Sequence, residues 1–87
     1  MPQLKKGDKV ICIDDYFEDS ETNPFRVSEL KLPKERETYT IRELAKTAYG
    51  TGVRLNEIIN KKYYFGDIHK EEEPIFGINR FQVLDKN

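Results

Sequence analysis

The chain has 87 residues, 36% of them charged and 37% hydrophobic, with a formal net charge of −1. That length holds one hydrophobic core, hence a single domain over residues 1–87, and five tyrosines with five phenylalanines exclude a disordered tail. Near-neutral charge by itself points to neither nucleic acid nor an anionic membrane, and the one cysteine, Cys12, excludes an internal disulfide.

The charge is unevenly spread. Residues 1–30 hold four basic and seven acidic groups, residues 31–62 eight and four, and residues 63–87 three and five. The segments therefore carry net charges of −3, +4 and −2, which predicts a dipolar surface. The start of the chain, from Met1 to Asp8, has no apolar run after its lysines, unlike a signal peptide. No stretch reaches the ~20 apolar residues of a membrane helix. The expected location is cytoplasmic, with no membrane partner.

Lys5 to Lys9 reads as a turn, and Val10-Ile11-Cys12-Ile13 as a short buried strand bounded by Gly7 and Asp14-Asp15. Cys12 packs there as a small hydrophobe. Asp14 to Glu37 is a long polar connection, with Asp14, Asp15, Glu18, Asp19 and Glu21 crowded into its first half. A structureless loop of that length is unusual in a compact domain. The expectation is a hairpin-like excursion whose Tyr16, Phe17, Phe25, Val27 and Leu30 cover one end of the core.

Glu37 to Ala45 admits two readings. Thr38, Tyr39, Thr40 and Ile41 are β-branched or aromatic, and Tyr39 and Ile41 share one face of a strand. Alternatively, Thr40 and Glu43 have capping-box spacing, and Ile41, Leu44, Ala45 and Ala48 recur at helical intervals. That second pattern opens a helix-turn-helix, with Leu55 to Lys62 as its recognition helix. The strand is the favoured reading.

Beyond it, Tyr49-Gly50-Thr51-Gly52 marks a tight turn, and Val53 and Leu55 alternate as in a strand. Lys61 to Asp67 extends a strand into a turn. Lys70-Glu71-Glu72-Glu73 reads as a solvated loop, and Phe81 and Val83 alternate in a closing strand. There is no internal repeat and no low-complexity segment.

Few residues offer chemistry. Asp19, Glu21 and Asn23 have the first spacings of a calcium loop, but Pro24 and Leu30 occupy the places of its glycine and bidentate glutamate. Cys12 and His69 do not make a zinc site, and no nucleophile–base pair is evident. Asp14 and Asp15 would point to opposite faces of a strand, and one of them is expected to accept from Arg80 or a nearby backbone N–H. The expectation is no catalysis, no metal and no cofactor. Lys61, Lys62 and Tyr63 interleave charge with aromatics, the pattern of a single-strand nucleic-acid track, but a strand edge with alternate core aromatics is the favoured reading.

In order, the pieces resemble SH3 domains. Ile13-Asp14-Asp15-Tyr16 is similar to the Ala-Leu-Tyr-Asp-Tyr signature, and Lys34 to Ile41 to the Lys-Lys-Gly-Glu turn and second strand. Phe76 to Val83 stands where those domains carry a 3₁₀ turn before the last strand. Four short blocks also resemble a family of small phage and bacterial proteins with no established activity: Gly7 to Asp15, Tyr39 to Glu43, Gly52 to Ile58, and Arg80-Phe81.

The resemblance implies an all-β, small SH3-like barrel with a long acidic RT-type loop and a 3₁₀ turn before the last strand. The proline-peptide groove departs from the pattern, because the chain has no Trp, Ile78 replaces the Pro and Phe81 the Tyr. A proline-rich ligand is therefore not expected. Expected instead is a non-catalytic protein- or peptide-binding module taking a basic segment across Asp15, Tyr16, Asp19 and Asn79. The alternative is a nucleic-acid-binding small barrel, through Lys61, Lys62 and Tyr63, or a helix-turn-helix protein. Neither the partner's identity nor the oligomeric state follows from the sequence.

Overall fold

The computed structural model describes residues 4–48, 50–66 and 68–84. Their strands are β1 (Lys9–Cys12), β2 (Thr38–Thr47), β3 (Gly50–Leu55), β4 (Tyr63–Phe65), β5 (Lys70–Glu72), β6 (Phe76–Gly77) and β7 (Phe81–Val83). The only helical pieces among the described residues are 3₁₀ turns at Val27–Glu29 and Ile78–Arg80. The fold is all-β, and among the described residues no helix is long and apolar enough to cross a membrane.

The helix-turn-helix reading of Ile41–Ala48 and Leu55–Lys62 is overturned. β2 runs straight through the first of those segments, and β3 ends at Leu55, where the recognition helix would begin. Cross-strand partners decide the ambiguity that local pattern left: Tyr39 lies opposite Val10, Ile41 opposite Leu55 and Leu44 opposite Val53. The β-branched run then gains a pleated surface to pack on, which an isolated helical turn could not give it.

Five strands form one antiparallel sheet in the order β6-β3-β2-β1-β7. Its centre is β2, whose first residues pair with β1 and whose later ones pair with β3. A bulge between Ile41 and Glu43 separates the two halves and bends the strand. Edge strands β6 and β7 share no ladder, so the sheet does not close, but the 3₁₀ turn Ile78–Arg80 joins them covalently.

The core follows the two-residue period. Val10 and Cys12 on β1, Tyr39 and Ile41 on β2, and Val53 and Leu55 on β3 are buried together with Ile58, Phe76 and Phe81. Buried Tyr39 keeps its hydroxyl satisfied by accepting from the Lys34 N–H at 2.9 Å. Gly52 is needed for a close approach: a Cβ there would lie 2.4 Å from Ile75 Cδ1.

Two expected loops turned out differently. The glycines after Ala48 belong to β3, so the hairpin turn comes earlier than Gly50; Tyr49 of that expected turn, like Asp67, lies outside the described residues. Lys70–Glu73 is not a solvated loop. Residues 70–72 pair with β4 as a separate two-stranded sheet, and Glu73 is largely buried. Tyr63 and Phe65 place their rings against Phe25, at 5.2 and 6.1 Å between centroids, and this contact holds the pair to the body of the molecule.

Candidate functional site

The segment from Ile13 to Glu37 contains no strand, so it is an excursion and not a hairpin. Its acidic residues organise its own backbone. Asp14 accepts the Tyr16 N–H at 3.0 Å, Asp15 the Glu35 N–H at 3.1 Å, and Asp19 the Val27 N–H at 2.6 Å. Short acidic side chains commonly cap turns in this way. They replace the ladder that the excursion lacks.

Arg80, at the end of the second 3₁₀ turn, ties the start of the excursion to the closing strand. Its guanidinium donates to the backbone oxygens of Asp14 and Tyr16 and pairs with the Asp14 carboxylate at 3.4 Å. It also lies over the Phe17 ring, 4.0 Å from the centroid, while Phe17 meets Phe76 edge-on at 5.8 Å. Asp14 is thus the carboxylate that Arg80 engages, as the sequence led one to expect.

Of the four residues expected to form a peptide surface, Tyr16 is held through its backbone oxygen by Arg80, the chain neighbour of Asn79. Tyr16 is 67% exposed, with its hydroxyl donating to Glu18 at 2.7 Å. The hydrogen bond to Glu18, and then the charge of that carboxylate, push the Tyr16 pKa above its ordinary value. Asn79 is exposed on the 3₁₀ turn. Asp15 is committed to Glu35 on the far arm of the excursion, and Asp19 sits with Val27 and Arg26, the latter 4.0 Å away. The four do not form one compact cluster.

Lys61, Lys62 and Tyr63 lie at the entry to β4. Tyr63 is half-buried; Phe25 packs on its ring, and the Lys61 ammonium sits 5.1 Å from the ring centroid. Glu72 is its cross-strand partner. A base seeking a free ring beside positive charge would meet an occupied ring beside a carboxylate.

A charge network that sequence reasoning missed joins β2 and β3 to the residue after β5. Glu73, its side chain 11% exposed, accepts from Arg42 at 2.7 Å and from the Asn60 N–H at 3.0 Å. Arg54 donates to the Glu73 backbone oxygen at 2.7 Å and pairs with Glu43 at 2.6 Å and Glu72 at 3.4 Å. Burial pushes the Glu73 carboxyl up, but the Arg42 hydrogen bond, the Asn60 N–H and the two guanidinium charges outweigh it. The net pKa falls below the ordinary value. The signal was present as outward-facing Arg42 and Arg54 on neighbouring strands, with a glutamate run elsewhere to match them.

Cys12 is buried, and its thiol donates to the Asp14 oxygen at 3.5 Å. Burial raises its pKa, which disfavours the reactive thiolate. His69 is exposed, near the Tyr64 hydroxyl at 3.3 Å. Among the described residues no group of three or more His, Cys, Asp or Glu side chains converges as metal ligands would.

The chain matches no family model, and comparison with curated proteins and with solved structures finds no significant match to either.

Proposed function

We propose that the protein is a non-catalytic SH3-like binding module, akin to the small phage and bacterial proteins it resembles, that takes a basic segment of a partner protein. Three features support the SH3-like reading. β1 lies between β2 and β7, and a 3₁₀ turn links the edge strands β6 and β7. Arg36, with φ of 75°, takes the left-handed conformation at the place where the resembling turn has glycine.

The observation that carries the binding role is the Arg80 clamp. It fixes the backbone of Tyr16 beside the second 3₁₀ turn and leaves the Tyr16 ring exposed, with Glu18 at its hydroxyl. An exposed aromatic on a fixed backbone loses little entropy on binding, and neighbouring carboxylates favour a cationic partner.

Titration of the labelled protein with an Arg/Lys-rich peptide, and with an acidic peptide as control, tests the reading by NMR. Expected are amide shifts around Tyr16 and Ile78–Phe81 with the basic peptide alone, weakened by added salt and abolished by Tyr16→Ala. Shifts confined to the β2–β3 end, or equal for both peptides, would refute it.

A further inference from the structure

β4 and β5 stand apart from the other strands. Among the described residues they pair with each other and with no strand of the five-stranded sheet, and the buried core includes no residue of either. Ile58 before them and Phe76 after them are core residues, so the chain on both sides is anchored independently of the pair. Swinging the pair away would break no ladder of the main sheet.

The contacts that dock it divide by position. Polar ones gather at the base. The Asn60 N–H donates to the Glu73 carboxylate at 3.0 Å and so ties the two ends of the segment together. That base is pinned to the body of the molecule: Glu73 accepts from Arg42, and the Asn60 side chain accepts the Lys31 N–H at 2.8 Å and donates to the Lys31 oxygen at 3.0 Å. Beyond the base, the Tyr63 and Phe65 rings rest against Phe25, and Glu72 reaches Arg54 at 3.4 Å. Three rings and one partly exposed ion pair are a weak hold beside the burial that keeps the sheet together, so they give way first.

We propose that β4 and β5 form a flap that opens about this pinned base while the five-stranded sheet stays folded. Phe25 is the internal occupant that holds the flap closed. Opening uncovers Tyr63, Phe65 and Phe25 together with Lys61, whose ammonium already lies over the Tyr63 ring. The closed form thus hides an aromatic face beside a cation, and Phe25 takes the place that a partner's ring would take there. The contact is autoinhibitory. A two-stranded hairpin is marginally stable alone in water, so the freed pair also loses its own ladder. None of this depends on the reading of the protein as a binding module or on the Tyr16 surface.

Hydrogen exchange of the whole chain in urea below the unfolding transition tests it. Protected amides of β4 and β5 should exchange about tenfold or more faster than those of β2 and β3, with a smaller urea dependence, because opening exposes less surface than unfolding. Ile41→Val alters the sheet equally in the closed and open forms. It should speed exchange in β2 and β3 by roughly twofold to tenfold and leave β4 and β5 unchanged. Phe25→Ala weakens the closed form, and should speed exchange in β4 and β5 by about tenfold.

A common urea slope for all strands, with equal responses to Ile41→Val, would show that the pair leaves only with the sheet and overturn the proposal. Exchange in β4 and β5 untouched by Phe25→Ala would remove Phe25 as the closing contact and overturn it too. Absence of any protection in β4 and β5 of the parent chain would mean that no closed form is populated, with the same result.

Discussion

β2 and the excursion that leads into it are neighbours in sequence, yet different forces hold them. β2 buries Tyr39 and Ile41, lies between two partner strands and carries the centre of the core. The excursion buries only Pro33 fully; carboxylate caps, the Arg80 clamp and partial burial of Phe17 and Phe25 hold it in place. Burial is indifferent to salt and largely to pH, whereas exposed charge-based contacts depend on both. The contrast separates a persistent sheet from an appendage whose local stability can be tuned, and binding surfaces are drawn from the second kind.

The sharpest way to break this contrast is to cut into the sheet. Leu55→Ala, at a fully buried position on β3, should cost about 2–5 kcal/mol, a large share of the roughly 5–15 kcal/mol available to a domain. Urea unfolding would show it as a lower midpoint for every probe, the excursion included. A midpoint shift limited to excursion amides would mean that the core is organised differently.

Next in size is the charge network around Glu73. Glu73→Gln should cost roughly 1–3 kcal/mol, because it weakens the bond to a largely buried Arg42 and removes the charge opposite it. Glu73 has a pKa depressed from its ordinary 4.5, so its stabilisation is present above about pH 4.5 and is lost as the pH falls through the lower folded value. Unfolding midpoints measured across that window should fall on acidification in the parent chain, and less so in Glu73→Gln. Parallel acid limbs for the two proteins would contradict the assignment.

Arg36→Gly should act in the opposite direction. At φ 75° the arginine carries a left-handed backbone cost that glycine avoids, so a gain of about 0.5–1 kcal/mol is expected after glycine's greater unfolded entropy is allowed for. A lower thermal midpoint would place the arginine side chain in a role beyond the turn.

Smaller again is Asp19→Asn, which weakens the cap on Val27. Global stability should drop by less than ~1 kcal/mol, while hydrogen exchange at Val27 speeds up selectively. Uniformly faster exchange in the sheet would erase the distinction between the two regions. Tyr16→Ala should leave the unfolding transition where it is and act on binding alone, as calorimetry beside a peptide titration would show.

Much of the fold was legible because alternation is a local property. Tyr39 and Ile41, and Val53 and Leu55, each declare an inward face through spacing alone, whereas Val10 to Ile13 read as apolar on both faces and only the fold leaves Ile13 exposed. The buried cysteine was likewise readable, as was the engagement of one of Asp14 and Asp15 by Arg80, whereas Asp15 and Asp19 accept N–H groups of the distant Glu35 and Val27, which no local pattern announces.

What the sequence left open was decided by contacts between distant segments. Local pattern from Thr40 to Ala48 favours the strand but leaves a helix open, and the strands on either side of it, β1 and β3, settle the matter by supplying hydrogen-bond partners and packing. The glutamate run at 71–73 looks solvated until Arg42 and Arg54 are brought to it, because burial of a charge depends on where its counter-charge folds and not on its neighbours in the chain. Phe25, on a loop, likewise finds its ring partners Tyr63 and Phe65 on a hairpin nearly forty residues later, a contact no local pattern announces.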